Sequence, residues 1–95
     1  MQKYRWDCIY DRIKYYENPV GVEIGVHRAE NSRQLLMLHP GLTLYMVDMW
    51  SPDTYIGKGD DSATEPFREL YTRHCSANLE IARQAVYEFG DRAII

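Results

Sequence analysis

The stretch Val20-Gly21-Val22-Glu23-Ile24-Gly25-Val26-His27-Arg28-Ala29 decides how this chain is read. Its first seven residues, VGVEIGV, are short, rich in β-branched side chains and apolar except at Glu23, the pattern of a strand buried on both faces. Gly25 lies near its end, where a glycine lets the backbone turn sharply and a ligand approach with no Cβ in the way. A loop, HRAE, leads to a helix that opens near Asn31, with Asn31 and Gln34 spaced as a capping box. Leu35, Leu36 and Leu38 supply its apolar face, and His39-Pro40-Gly41 stops it. Residues 42–48, LTLYMVD, then make a second apolar strand that ends on an acid, Asp48.

Outward from this unit the chain continues the same alternation. On the N-terminal side, residues 3–17 form an amphipathic helix with Trp6, Ile9, Ile13 and Tyr16 on one face, ended by Asn18-Pro19. On the other side, residues 51–65, SPDTYIGKGDDSATE, are polar and glycine-bearing, long enough to act as a lid-like loop or insert. Pro66 suits the first turn of a helix carrying Phe67, Leu70, Tyr71 and His74. A second helical stretch begins near Ser76, buries Leu79, Ala82, Val86 and Phe89, and stops at Gly90. Residues 91–95 start a third strand.

Strands joined through helices run parallel, and right-handed crossovers stack them in one sheet. The expected fold is therefore α/β: a three-layer Rossmann-like half with parallel strands ordered 3-2-1 and an N-terminal helix. At 95 residues the chain is one small domain. Its 45% apolar and 26% charged residues exclude a disordered or fibrous chain. No run approaches the roughly 20 apolar residues of a membrane span, and the charged start lacks a secretory leader's apolar core. The formal charge is −3 with no basic stripe, which argues against nucleic-acid binding through phosphate neutralisation. Cys8 and Cys75 lie far apart, outside any disulfide or zinc-ligand spacing, so no metal is expected and the cytoplasm is the default compartment.

Chemistry concentrates where the two strands end. A helix following the first strand offers unpaired N–H groups to a polar ligand, and an acid ending the next strand can accept both hydroxyls of a ribose. Glu23-Ile24-Gly25, then Val26-His27-Arg28 and Ala29, and further on Val47-Asp48-Met49-Trp50, supply these parts in order. Here the chain resembles the class I S-adenosylmethionine-dependent methyltransferases, whose first motif is an acid, any residue, glycine, three residues, then glycine. Ala29 stands where that last glycine would be. The resemblance covers roughly residues 19–95, is closest to small-molecule methyltransferases of bacterial and phage settings, and matches the N-terminal half of the family alone.

The resemblance implies S-adenosylmethionine as cofactor and a small polar molecule as methyl acceptor. It implies that Glu23 holds the methionine amino group, directly or through water. Gly25, Val26 and His27 form the loop beneath the cofactor, Asp48 holds the ribose, and Met49 and Trp50 flank adenine. It points to no catalytic base. A dinucleotide site would need Gly-x-Gly-x-x-Gly, and Gly25-Val26-His27-Arg28-Ala29 lacks the later glycines. Each acid also has a purely structural alternative, as a cap on a neighbouring loop. A non-catalytic nucleotide-binding or oligomer-assembly module is the competing function. His39 reads as a helix-terminal residue, and His74 beside Cys75 is no catalytic pair, because neighbours on a helix point about 100° apart. In the 3-2-1 order the strand VGVEIGV has a free edge, so a homo-oligomer or association with a missing C-terminal half is expected.

Overall fold

The computed structural model describes residues 3–50 and 65–95. Its elements are α1 (Arg5–Ile13), β1 (Val20–Ile24), α2 (Glu30–Leu38), β2 (Thr43–Val47), α3 (Glu65–Val86), a 3-10 helix (Tyr87–Arg92) and β3 (Ala93–Ile94). The three strands form one parallel sheet in the order β1-β2-β3, with Val22 beside Tyr45 and Tyr45 beside Ile94. The lid-like segment expected at 51–65 lies outside the described residues, apart from Glu65, which opens α3.

Helix α1 is shorter than its apolar spacing predicts. It ends at Ile13, and Lys14 donates its N–H to the Tyr10 carbonyl. The chain then crosses the start of β2, where the Thr43 N–H reaches the Pro19 carbonyl and Gly41 lies against the Glu17 carbonyl. A helix running to residue 17 could not make that crossing. Tyr16 therefore leaves the stripe and is 65% exposed, and Tyr10 takes its place beside Trp6 and Ile13 on the core.

Helix α2 starts at Glu30, one residue before the expected position, and Ala29 caps it in a left-handed conformation without a side-chain bond. Asn31 does not form the expected capping box, because its amide turns to Glu23 instead. At the other end His39 is the C-cap and is buried. Its Nδ1 accepts the Gly41 N–H at 3.1 Å, which leaves Nε2 to donate to the Tyr16 carbonyl at 2.8 Å. Arg92 closes this end from below, donating to the carbonyls of Leu36, His39 and Leu42 at 2.7, 2.7 and 3.0 Å. A cation at a helix C-terminus meets both the unpaired carbonyls and the negative end of the dipole.

The two helical stretches expected after Pro66 are one continuous helix, since Ser76 is tolerated mid-helix where tertiary packing supports it. Cys75, Asn78, Ala82 and Val86 form its buried stripe. Leu79 stays half-buried, and Phe89 packs against the core from the 3-10 helix. The helix ends at Val86, before the expected stop at Gly90, which instead kinks the 3-10 helix from within at φ +58°. The side chains of Phe67 and Tyr71 lie outside the description.

The core lies on one side of the sheet. Leu44 and Met46, 4% and 3% exposed, point there with Leu35, Leu36, Ala82 and Val86. On the opposite face Val22, Ile24 and Val47 are 64%, 83% and 51% exposed. The described residues thus make two layers, where three were expected. The expectation came from apolar residues at successive positions of both strands, which do point to both faces, yet the described helices pack on one.

Candidate functional site

The carboxyl ends of β1 and β2 meet in two loops that are tied together. The Gly25 N–H extends the ladder to the Val47 carbonyl at 2.9 Å, and the backbone then turns at φ +83°. A Cβ on Gly25 would meet nothing within 4 Å, so the glycine answers a conformational need and leaves open space beside the backbone. Past it, Ala29 donates its N–H to the Val26 carbonyl and enters α2 at φ +66°.

Asp48 holds this loop in place. Its Oδ2 accepts the His27 N–H at 2.8 Å and its Oδ1 accepts the Trp50 N–H at 2.9 Å. The Trp50 indole N–H returns the tie by donating to the His27 carbonyl at 2.9 Å. Partial burial works against charge on Asp48, but the backbone N–H groups of His27 and Trp50 outweigh it and hold the carboxyl below its ordinary range. A carboxylate offers about four lone-pair positions, so two N–H donors leave it able to accept from a ligand.

His27, Ala29 and Trp50, at φ +57°, +66° and +44°, are the non-glycine residues with positive φ among the described residues. All three lie in these two loops. Each such conformation costs of order 1–3 kcal/mol and persists where surrounding structure over-determines it, which is why strain of this kind clusters at functional sites.

Glu23 stands apart from Asp48, on the helix side of β1. Its carboxylate accepts the Ser32 hydroxyl and the Asn31 amide, the latter at 3.3 Å. Because the amide NH2 must face the carboxylate, the Asn31 Oδ1 is left buried without a partner among the described residues. A cavity of about 260 Å³ opens beside these groups, lined by Arg5, Gly25, Val26, His27, Arg28, Glu30 and Asn31.

Of the residues singled out in the sequence, Gly25, His27, Asp48 and Trp50 come together directly. Val26 turns its side chain into the core at 4% exposure, so the backbone is what it can offer a ligand. Met49 is 69% exposed beside Asp48. The pattern reading missed Asn31 and Ser32 as partners of Glu23, and Arg28, which reaches across to Asn78 at 3.2 Å. The first two carried a signal, since residues opening a helix after a strand fall beside that strand's end. The Arg28–Asn78 contact spans 50 residues and left none.

Cys8 is exposed and Cys75 buried, both as free thiols. Among the described residues no helix is long and apolar enough to cross a membrane. Comparison with protein-family models, with curated proteins and with solved structures returns no match.

Proposed function

We propose that the sheet is a Rossmann-like half, ordered 3-2-1 from its β3 edge, that binds a nucleoside cofactor across the carboxyl ends of β1 and β2. The observation that carries this reading is the clustering of left-handed backbone at Gly25, His27, Ala29 and Trp50 around the carboxylate of Asp48. Open α/β sheets bind ligands outside the carboxyl ends of their strands.

Within that class the cofactor is S-adenosylmethionine, and the activity is methyl transfer to a small polar acceptor. Two positions that carry glycine in the resembling family, Gly25 and Ala29, both have positive φ here. Asp48 accepts ribose hydroxyls on its remaining lone pairs, with Met49 and Trp50 beside the adenine. The methionine amino group, directly or through water, bonds to Glu23 and supplies the donor that Asn31 Oδ1 lacks. The cofactor brings the reactive methyl, and the protein aligns the acceptor with it.

A non-catalytic nucleotide-binding module is the second reading. It is favoured by one observation, that Glu23 and Asp48 already have internal partners. Calorimetry of the chain with S-adenosylmethionine and with its demethylated product tests the cofactor assignment, and heat from neither overturns it. Radiolabelled methyl transfer to a panel of small amines, hydroxyl compounds and phenols separates the two readings. Binding without transfer to any acceptor would favour the non-catalytic one.

A further inference from the structure

Next to the cavity at Gly25 lies a cleft of about 300 Å³ between α1 and the helix side of β1, and Arg5 and Asn31 line both. Away from those two residues and Glu23 the cleft is apolar. Ile9 and Ile13 reach it from α1, Leu35 from α2, and Leu42 and Leu44 from β2 and its approach. Gly21 keeps it open. A Cβ there would stand 3.4 Å from the Leu44 Cδ1 and 3.9 Å from that of Leu42. Among the described residues, the titratable side chains of the cleft are Arg5 and Glu23. Glu23 is held by Asn31 and Ser32, and in the reading above it meets the cofactor's amino group together with Asn31 Oδ1. Arg5 is exposed, pairs with no other described residue, and stands where the cleft meets the Gly25 cavity.

We propose that this cleft holds the methyl acceptor, and that the acceptor is a free aliphatic monocarboxylate with its chain among the leucines and its carboxylate on Arg5. The inference rests on the cofactor reading and narrows its small polar acceptor to one whose polar group is an acid. Ligand pockets run from roughly 300 to 1,000 Å³, so a cleft at the lower end takes a small molecule. Its inner walls offer a polar atom no partner, so the body is hydrocarbon. A peptide's C-terminus would carry amides into that lining and fits less well. At the mouth, a guanidinium presents paired donors that match the two oxygens of a carboxylate. Because Arg5 is exposed, neither charge has to give up its water. An ammonium head in the same place would be repelled by Arg5, and a neutral head would leave it unpaired.

The chemistry of transfer favours the same class. A carboxylate oxygen attacks the sulfonium methyl carbon, the C–O bond forms as the C–S bond breaks, and the bonding pair stays on sulfur. The negative charge of the acid and the positive charge of the sulfonium cancel, giving a methyl ester and a thioether. No proton moves in this step. An ammonium or hydroxyl acceptor must lose one to a general base, and Glu23, the acid of the cleft, already accepts from Asn31 and Ser32. A carboxylate acceptor asks the protein for placement alone.

The test titrates octanoate, hexanoate and octanamide calorimetrically into the 95-residue chain, both free and saturated with the demethylated product. Octanoate is expected to bind about tenfold more tightly than octanamide, and Arg5→Gln to abolish that difference while leaving the demethylated product's affinity unchanged. Gly21→Ala adds a methyl at ordinary contact distance from Leu44, so the chain should still fold. It is expected to cost octanoate about fourfold relative to hexanoate, the worth of one buried methylene. In the transfer assay, labelled methyl on octanoate should be released by alkali as methanol, which an ester allows and a methylated amine or ether does not. The inference is overturned if the cofactor binds and octanoate does not, or if octanoate acquires no alkali-labile methyl. It is also overturned if Arg5→Gln weakens the demethylated product and spares octanoate, which would put the cofactor's own carboxylate on Arg5. Heat from neither cofactor form would instead overturn the cofactor reading, and the acceptor role with it.

Discussion

Gly25 and Asp48 do different work in the same loop, and single substitutions separate the two. At Gly25 the surrounding space is open, so an added side chain meets a backbone penalty and no clash. Gly25→Ala is expected to lower stability by about 1–2 kcal/mol, the cost of left-handed backbone for an L-residue. Urea denaturation reads this, and a loss near zero would mean the turn relaxes. Asp48 acts through charge. Its folded carboxyl titrates below its unfolded counterpart, so its contribution to stability is complete above about pH 4 and disappears as acid carries the pH down through the folded value. The His27 and Trp50 amides are accordingly expected to lose exchange protection below pH 4. Asp48→Asn should flatten that dependence, and an equally steep acid loss in the variant would assign it to another carboxylate.

Elements were legible where one face dominates and illegible where a distant contact intervenes. The strands at VGVEIGV and LTLYMVD and the leucine-bearing helix between them follow from runs that stand out locally. The early end of α1 does not, because it is imposed by the crossing of residues 15–19 over Gly41, about two dozen residues away in sequence. That crossing yields a sharp expectation. A Cβ on Gly41 would collide with the Glu17 carbonyl, a backbone atom that cannot swing aside as a side chain can. Gly41→Ala is therefore expected to cost about 1–3 kcal/mol, the range for forcing extra atoms into a packed site. Thermal melting checks it, and a variant as stable as the parent would show that residues 15–19 dock loosely. In the site itself the acids and Gly25 were legible as a pattern. The partners that aim Asp48 were not, since hydrogen bonds from backbone N–H groups carry no residue signature, whereas the side chains that hold Glu23, Asn31 and Ser32, open the helix after its strand and could have been found.

At the scale of the whole fold, the described residues pack one face of the sheet and leave the other bare. A substitution on the bare face should therefore leave stability almost untouched while changing how the surface behaves. Val22→Thr keeps the β-branched shape and the strand, and is expected to alter stability by no more than about 0.5 kcal/mol. It should also reduce binding of a hydrophobic dye to the surface. A loss of several kcal/mol would mean that Val22 is covered in solution. The helix side is fastened differently. Arg92 reaches Leu36, His39 and Leu42, contacts that span 56, 53 and 50 residues. Contacts of such separation must wait for a long stretch of chain to be brought round, whereas β1, α2 and β2 are near neighbours in sequence. Arg92 thus acts as a latch set late on the folding route. Arg92→Ala is expected to cost about 2–3 kcal/mol through carbonyls left without a donor, and nearly all of it should appear as faster unfolding with the refolding rate unchanged. Stopped-flow chevrons measure both arms, and a slower refolding arm would place the latch before the barrier.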